Sequence, residues 1–357
     1  MGALKRKAAK VSLVSGEEKW RKKVGAVKSK PKPVSLGSGE KWVRGEKIGE
    51  GGFGSVFVAF SKSRYMPRAM AIKSAKMKES DSIQYELQVY QELDGDSCPF
   101  IIEHYGEEVT LSSKGEKFYN LALEIAWGSL AKWIEVSGKG GLPEKEVTGY
   151  ASQILKGVKH MHECGYVHCD LKPDNILLVG DVNVDGKPVF TAKVGDFGLV
   201  KKEEEVEGGW RGTPNYLAPE TITENRQEKP SDIWAVGLIV LEMLTGEHAR
   251  HLFYESETGC FCIVDRRMKP EIPDTLSTVA KEFIGFCLEE VPEHRWTAEE
   301  LLSLPFVAAT YAQAFGARST PNAVAVSDQP VKPQDCIYKY DKRKLNSDQI
   351  AQLKSNI

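Results

Sequence analysis

Between Val43 and Leu123 the chain runs in short stretches where β-branched and aromatic residues dominate. Val56–Phe60, Ala69–Lys73 and Asn120–Leu123, each bounded by turn residues, predict strands. Inside that region Ile83 to Leu93 places its apolar residues on one face at helical spacing and predicts a helix. After Gly128 the helical period takes over, in Val147–His162, Ile233–Thr245 and Val279–Leu288. The pattern predicts an α+β chain, with a small N-terminal β-sheet lobe carrying one main helix and a larger, mostly helical C-terminal lobe. Residues 1–40 are rich in Lys, Ser, Gly and Pro and nearly free of aromatics; they cannot bury enough apolar surface to offset ordering, and read as a flexible basic arm. The folded domain is expected over 41–310. A polar C-terminal tail is expected over 311–357, ending in a helix from a Ser347 cap through Ile350, Leu353 and Ile357 or simply frayed.

Composition then narrows the class. Of 357 residues, 41% are hydrophobic, which supplies a sizeable core and excludes wholesale disorder. The longest uncharged apolar run, Ile233 to Leu241, is far short of the roughly 20 residues that a membrane-spanning helix needs, so no membrane partner is expected. The N-terminus lacks an apolar signal core, and Arg6 stands where the N-myristoylation pattern wants Ser or Thr, so neither secretion nor an acyl anchor is expected. Seven cysteines, an odd number without a CxxC pair, suit reduced thiols in a cytoplasmic or nuclear protein and argue against structural zinc.

The formal net charge of −2 hides an asymmetry. Residues 1–47 carry 14 Lys/Arg against 4 Asp/Glu, residues 318–357 carry 7 against 4, and the stretch between them carries 27 against 42. A basic arm beside an acidic body fits nucleic-acid contact, nuclear import, docking on an acidic partner, or plain solvation. The arm lacks the interleaved aromatics of a nucleic-acid reader, which argues against nucleic acid. It also holds a near-repeat: Val11-Ser12-Leu13 leads to Ser15-Gly16-Glu17-Glu18-Lys19-Trp20, and Val34-Ser35-Leu36 leads to Ser38-Gly39-Glu40-Lys41-Trp42. Only the second copy continues into a glycine-rich strand.

Chemistry enters with Gly49-Glu50-Gly51-Gly52-Phe53-Gly54, which fits G-x-G-x-x-G. A dinucleotide site would need its last glycine to open a helix, whereas Ser55-Val56-Phe57-Val58-Ala59 reads as a strand. The loop is therefore a flap between two strands, its backbone N–H groups free to approach a triphosphate and Phe53 closing its tip. Ala71-Ile72-Lys73 ends an apolar strand on a lysine that needs an anionic partner. Glu86 is the candidate, on one helical face with Ile83, Leu87 and Tyr90. His168-Cys169-Asp170-Leu171-Lys172-Pro173-Asp174-Asn175 then packs three roles into one loop. Asp170 can accept the proton of an attacking hydroxyl, Lys172 can neutralise a transferring phosphoryl group, and Asn175 can ligate Mg2+. Asp196-Phe197-Gly198 supplies a second acidic metal ligand, and Ala218-Pro219-Glu220 closes the segment.

With these strings in order from Gly49 to Arg295, the chain resembles the eukaryotic protein kinases. The resemblance implies their two-lobed fold, with an N-lobe over 41–123, a hinge over 124–127 and a C-lobe over 128–310. It implies ATP and Mg2+ as cofactors, with Ile48, Val56, Ala71, Ala126 and Leu178 joining the glycine loop and Lys73 around the nucleotide. Leu123 falls at the gatekeeper position, and Glu124 to Ala126 would offer backbone hydrogen bonds to adenine. Asn175 and Asp196 would hold the metal, and Asp170, Lys172, Lys73, Glu86 and Thr213 would carry catalysis. Glu220 is expected to pair with Arg295, and Asp232 to brace the catalytic loop. Lys172 and Thr213 match the serine/threonine class. The run from Trp210 to Glu220 and Arg295-Trp296-Thr297-Ala298-Glu299 resemble plant mitogen-activated protein kinase kinase kinases, which implies a downstream kinase kinase as protein substrate.

A pseudokinase acting as a scaffold is the rival reading, and Lys73, Glu86, Asp170, Asn175 and Asp196, all present, argue for activity. His162, Cys164, His168 and Cys169 could instead form a metal cluster, but the kinase reading needs them at a helix end and in the catalytic loop; Cys169 is read as a buried inert thiol rather than a redox sensor. The kinase is expected not to need activation-loop phosphorylation. Cys169 stands where many kinases carry a phosphate-binding Arg, and no Ser, Thr or Tyr occurs between Gly198 and Gly212. Glu203, Glu204, Glu205 and Glu207 fill that stretch and can pair with Lys201, Lys202 or Arg211, or form a solvated turn. In the arm, Lys5 to Leu13 and Lys30 to Leu36 resemble docking peptides of this cascade, with nuclear import as the alternative for Lys5 to Lys10.

Overall fold

Five antiparallel strands in the order β1-β2-β3-β5-β4 build the first lobe: β1 (Trp42–Gly51), β2 (Gly54–Ser61), β3 (Ala69–Lys76), β4 (His104–Leu111) and β5 (Lys117–Leu123). The computed structural model describes residues 36–308 apart from 53, 94–97, 183–187, 206–208, 250–251, 256–259 and 264–268. The expected strands fall inside β2, β3 and β5. The expected helix is α1 (Asp81–Leu93), which buries Ile83, Glu86, Leu87 and Tyr90 together, as one helical face requires. The hydrophobic pattern did not disclose β4. It is an edge strand that exposes Val109 and Leu111 and is broken by a register shift between His104 and Gly106, where Gly106 sits at φ +101°.

The second lobe is mainly helical. It contains α2 (Leu130–Ser137), α3 (Glu144–Glu163), α4 (Pro219–Glu224), α5 (Lys229–Thr245), α6 (Thr278–Cys287) and α7 (Ala298–Leu302). Small strands β6 (Gly128–Ser129), β8 (Ile176–Val182) and β9 (Pro188–Val194) form one sheet, β7 (Tyr166–Val167) pairs with β10 (Lys201–Lys202), and β11 (Leu252–Glu255) pairs with β12 (Cys260–Ile263). α3 buries Val147, Tyr150, Ala151, Ile154, Leu155, Val158 and Met161 at spacings of three and four. The uncharged run Ile233–Leu241 lies in α5, buried all round, and is a core helix. Among the described residues no helix is long and apolar enough to cross a membrane.

Residues 36–40, expected to belong to the flexible arm, lie against the sheet. Thr110 Oγ1 donates to the Leu36 carbonyl (3.3 Å), and Glu108 accepts from the Glu40 N–H (2.7 Å) and from Trp42 Nε1 (2.8 Å). Buried Arg44 donates to the Gly37 carbonyl (2.8 Å), Ser74 Oγ (2.8 Å) and Asn120 Oδ1 (2.6 Å) and stacks near the rings of Trp42 and Phe57. The boundary expected at residue 40 therefore falls within a hydrogen-bonded stretch, because a buried guanidinium needs acceptors and the chain before Trp42 supplies one. The remainder of the arm, including the first copy of the repeat and the docking-like Lys5–Leu13 run, lies outside the described residues, as do the tail after 308 and its Ser347 helix.

Candidate active site

β1 ends at Gly51 and β2 begins at Gly54, so the glycine loop does join two strands. Gly54 adopts φ +141°, and a Cβ there would meet the Ser74 carbonyl oxygen at 2.5 Å, so glycine is required. A Cβ on Gly51 or Gly52 would meet nothing within 4 Å among the described residues, which leaves room over the hairpin for a phosphate chain. Phe53 lies outside the described residues.

Lys73 does not end its strand, since β3 continues to Lys76 by pairing Ser74–Lys76 with Phe118–Asn120 of β5. Its ammonium contacts Glu86 Oε2 and Asp196 Oδ1, each at 2.7 Å. Glu86 Oε1 also accepts the Phe197 N–H (3.3 Å), so α1, β3 and the Asp196-Phe197-Gly198 turn meet at one point. Burial pulls the Lys73 ammonium down, but Glu86 and Asp196 outweigh it and raise it above its ordinary value. Burial raises Glu86, with Lys73 pulling the other way, whereas Asp196, also opposed by burial, is held below its ordinary range by Lys73.

Two residues of the site adopt the left-handed region, Cys169 (φ +67°) in the His168–Asn175 loop and Asp196 (φ +61°) in the turn after β9, an uncommon conformation for non-glycine residues. Asp232, near the start of α5, holds the first of these turns: its Oδ2 accepts the His168 N–H (2.8 Å) and its Oδ1 the Cys169 N–H (3.0 Å). His168 Nε2 donates to the Gly195 carbonyl (3.2 Å), which leaves Nδ1 to accept the Asp170 N–H (3.2 Å). Lys172 Nζ contacts Asp170 Oδ2 and Thr213 Oγ1, both at 2.8 Å, and Thr213 Oγ1 donates to Asp170 Oδ1 (2.7 Å). Asn175 Nδ2 donates to the Asp170 carbonyl (2.8 Å) and to its Oδ2 (3.1 Å). Asn175 is thus oriented by its nitrogen, leaving the amide oxygen as a hard donor that, with the Asp196 carboxylate, suits a hard cation such as Mg2+.

The strand register sets Ala71 beside Leu123 and Val56 beside Lys73, and Ile48 and Val56 pack on the same core as Leu178. The Glu124 N–H donates to the Glu103 carbonyl (2.8 Å), and the Trp127 N–H to the Leu178 carbonyl (2.8 Å). Between them the N–H of Ala126, a buried residue, has no protein partner among the described residues, which fits a ligand with its own acceptor.

The other expected pairings divide. Glu220 and Arg295 form a buried bidentate pair at 2.8 and 3.1 Å. Glu205 pairs with Arg211 as expected, but Glu203 takes Lys229 (2.6 Å) and Lys202 reaches Glu92 of α1 (3.1 Å); Glu207 lies outside the described residues. His162 contacts Asp232 (2.9 Å), Cys164 is exposed, and the buried Cys169 thiol donates to the Val167 carbonyl (3.5 Å), with burial pushing its pKa well up. The side chains of His162, His168 and Cys169 are turned to Asp232, Gly195 and Val167 respectively, and among the described residues no cluster of His, Cys, Asp and Glu could hold a metal ion.

Three features had no clear signal in sequence. Lys193 of β9 grips Glu124 at 2.8 and 3.0 Å and ties the hinge to the strand before Asp196. The rings of His168, Phe197, Tyr90 and His104 follow one another at centroid distances of 5.7, 4.7 and 5.5 Å, linking the catalytic loop through α1 to β4. Buried Gln227 bonds to both Arg211 and Cys169.

The protein kinase domain model matches residues 42–307. Mitogen-activated protein kinase kinase kinase 20 of Arabidopsis thaliana is 39% identical over 284 residues, covering 75% of this chain and 78% of that protein. From the same organism, mitogen-activated protein kinase kinase kinase 18 is 34% identical over 81% of this chain and 84% of its own, and mitogen-activated protein kinase kinase kinase 17 is 33% identical over 75% and 69%.

Proposed function

The chain belongs to the protein kinase family, and from that premise we propose that it transfers the γ-phosphoryl group of ATP, with Mg2+, to serine or threonine hydroxyls of a mitogen-activated protein kinase kinase. It is a serine/threonine protein kinase related to kinases of mitogen-activated cascades. One observation carries the proposal of activity: the Lys73–Glu86–Asp196 ion cluster and the Asp170–Lys172–Thr213 triangle are both closed. A scaffold without phosphoryl transfer has no need of either.

In this reading Asp170 orients the acceptor hydroxyl and takes its proton, while Lys172 neutralises charge gathering on the transferred group. Lys73, steadied by Glu86, holds phosphate oxygens. Ile48, Val56, Ala71, Leu123 and Leu178 wall the adenine, with backbone groups of Glu124 and Ala126 bonding its edge. Asn175 and Asp196 would hold Mg2+, which would screen the charge of the phosphates. The basic arm serves as a docking segment for cascade partners, and seven scattered cysteines without a CxxC pair support a cytoplasmic or nuclear location.

The test incubates the purified full chain with radiolabelled ATP and a panel of mitogen-activated protein kinase kinases, with Asp170→Asn as control. Transfer to at least one member, lost in the control, is expected. Absence of transfer to every member and to a generic serine/threonine substrate overturns the proposal in favour of a scaffold.

A further inference from the structure

We propose that Gln227 is a positioning residue for phosphoryl transfer: its carboxamide clips the segment entering Thr213 to the backbone of the catalytic loop, a job that needs no phosphate. The inference rests on the reading of an active kinase given above.

Gln227 is buried in the turn between α4 and α5. Its Oε1 accepts the Arg211 N–H (3.0 Å), and its Nε2 donates to the Arg211 carbonyl (2.9 Å) and the Cys169 carbonyl (3.2 Å). One N–H donor and two carbonyl acceptors fix which way the amide faces. The two backbones it joins are in contact. Gly212 adopts φ +106°, and a Cβ there would lie 2.2 Å from the Cys169 carbonyl oxygen. Thr213, the next residue, reaches Asp170 and Lys172.

Among the described residues no side-chain cation bridges this crossing. Position 169 is a neutral thiol, and the Arg211 guanidinium is turned to Glu205 and the Val200 carbonyl. The recognition is main-chain to amide, so it is insensitive to what modifies a loop side chain. Removing the carboxamide strips a donor from two carbonyls and loosens the entry to Thr213. The Lys73–Glu86–Asp196 cluster, which faces the nucleotide, makes no contact with it. A clip therefore governs turnover and protein-substrate KM and leaves the KM for ATP alone, whereas a general loss of folding would move all of them.

The test uses the dephosphorylated full chain as wild type, Gln227→Leu and Gln227→Glu. For Gln227→Leu, kcat/KM for the protein substrate is expected to fall at least about tenfold with the KM for ATP within about twofold. At about pH 8 the carboxylate of Gln227→Glu has no hydrogen for the two carbonyls, while its protonated form regains one; its activity relative to wild type is expected to climb as the pH falls toward about 6. Asp170 and Asp232 border the same small cavity and, with burial, raise a carboxyl placed there; the opposing cations are Lys172, held by Asp170, and Lys201 and Arg211, both bonded to Glu205, and the Cys169 thiol is neutral. A Gln227→Leu protein within about twofold of wild type, or a Gln227→Glu ratio flat across pH, overturns the clip. If the leucine protein does not fold, the glutamate profile decides alone. Wild-type inactivity would refute the kinase reading instead, and the clip would then be judged by hydrogen exchange: the Arg211 amide, which loses its acceptor in Gln227→Leu, must exchange faster in that variant than in wild type, and unchanged protection overturns it.

Discussion

Thr213 Oγ1 donates to Asp170 Oδ1 at 2.7 Å while also accepting from Lys172 Nζ, so the proposed catalytic base is held by a residue 43 positions away in the chain. The hydroxyl does two jobs at one atom, and only serine can repeat both. Thr213→Val is expected to lower kcat by about tenfold or more, because a misplaced base loses orientation, while Thr213→Ser stays within about threefold. Steady-state kinetics on a common substrate checks the contrast; equal losses in the two variants contradict it.

Lys73→Met and Asp196→Asn are each expected to cost at least about 10²-fold in turnover, since one removes the proposed phosphate clamp and the other the proposed metal ligand. Lys73→Met carries a second consequence. It leaves Glu86 buried beside Asp196 without its cation, a defect that typically costs about 3–5 kcal/mol. Urea unfolding should find the double variant Lys73→Met with Glu86→Gln more stable than Lys73→Met alone.

Phosphatase treatment is expected to leave activity within about twofold of the untreated protein. The segment after Asp196 is anchored by the β7–β10 pairing, by Glu205 with Arg211, by Glu203 with Lys229 and by Lys202 with Glu92. None of these contacts requires phosphate. A large loss mapping to phosphorylated Thr213 or Tyr216 would contradict the expectation.

Arg295→Leu is expected to destabilise the protein by about 3 kcal/mol or more, because it strands the buried Glu220 carboxylate and removes donors from the Pro230 and Glu289 carbonyls. Denaturant titration gives the value; a loss under about 1 kcal/mol would mean that the pair is replaced by local rearrangement.

Cys169 should resist alkylation. Burial raises its pKa, so its thiol stays protonated at every pH below that raised value, and only the thiolate reacts. Brief iodoacetamide treatment of the native protein at about pH 8, read by mass spectrometry, should label exposed Cys164 and spare Cys169.

Much of the site was legible because its parts lie in short strings: the glycine loop, His168 to Asn175, and Asp196-Phe197-Gly198 each hold their roles within a few residues. Glu86 was reachable too, since helical spacing assigns a face and the face assigns a neighbour. Gln227 and Lys193 were not. Each acts through partners 16 to 69 positions away, and nothing in the local pattern around a lone glutamine or lysine says which distant backbone or carboxylate it will meet. β4 failed for a related reason: an edge strand needs only one apolar face and tolerates a bulge, so its alternation is weak. The acidic run after Lys202 was read by proximity in sequence, which found Glu205 with Arg211 and missed Lys229 and Glu92, brought in by tertiary packing.

The contact between Arg44 and the Gly37 carbonyl changes what counts as the edge of this domain. A chain shortened to begin at Lys41 would keep every residue of β1 yet remove one acceptor from a buried guanidinium, along with the Glu40 amide that Glu108 holds. Water would then reach the back of the sheet at Ser74, the residue following Lys73. Among the described residues the contacts of the sheet thus reach back through Gly37 to Leu36, six residues before the place where strand and hydrophobic pattern begin.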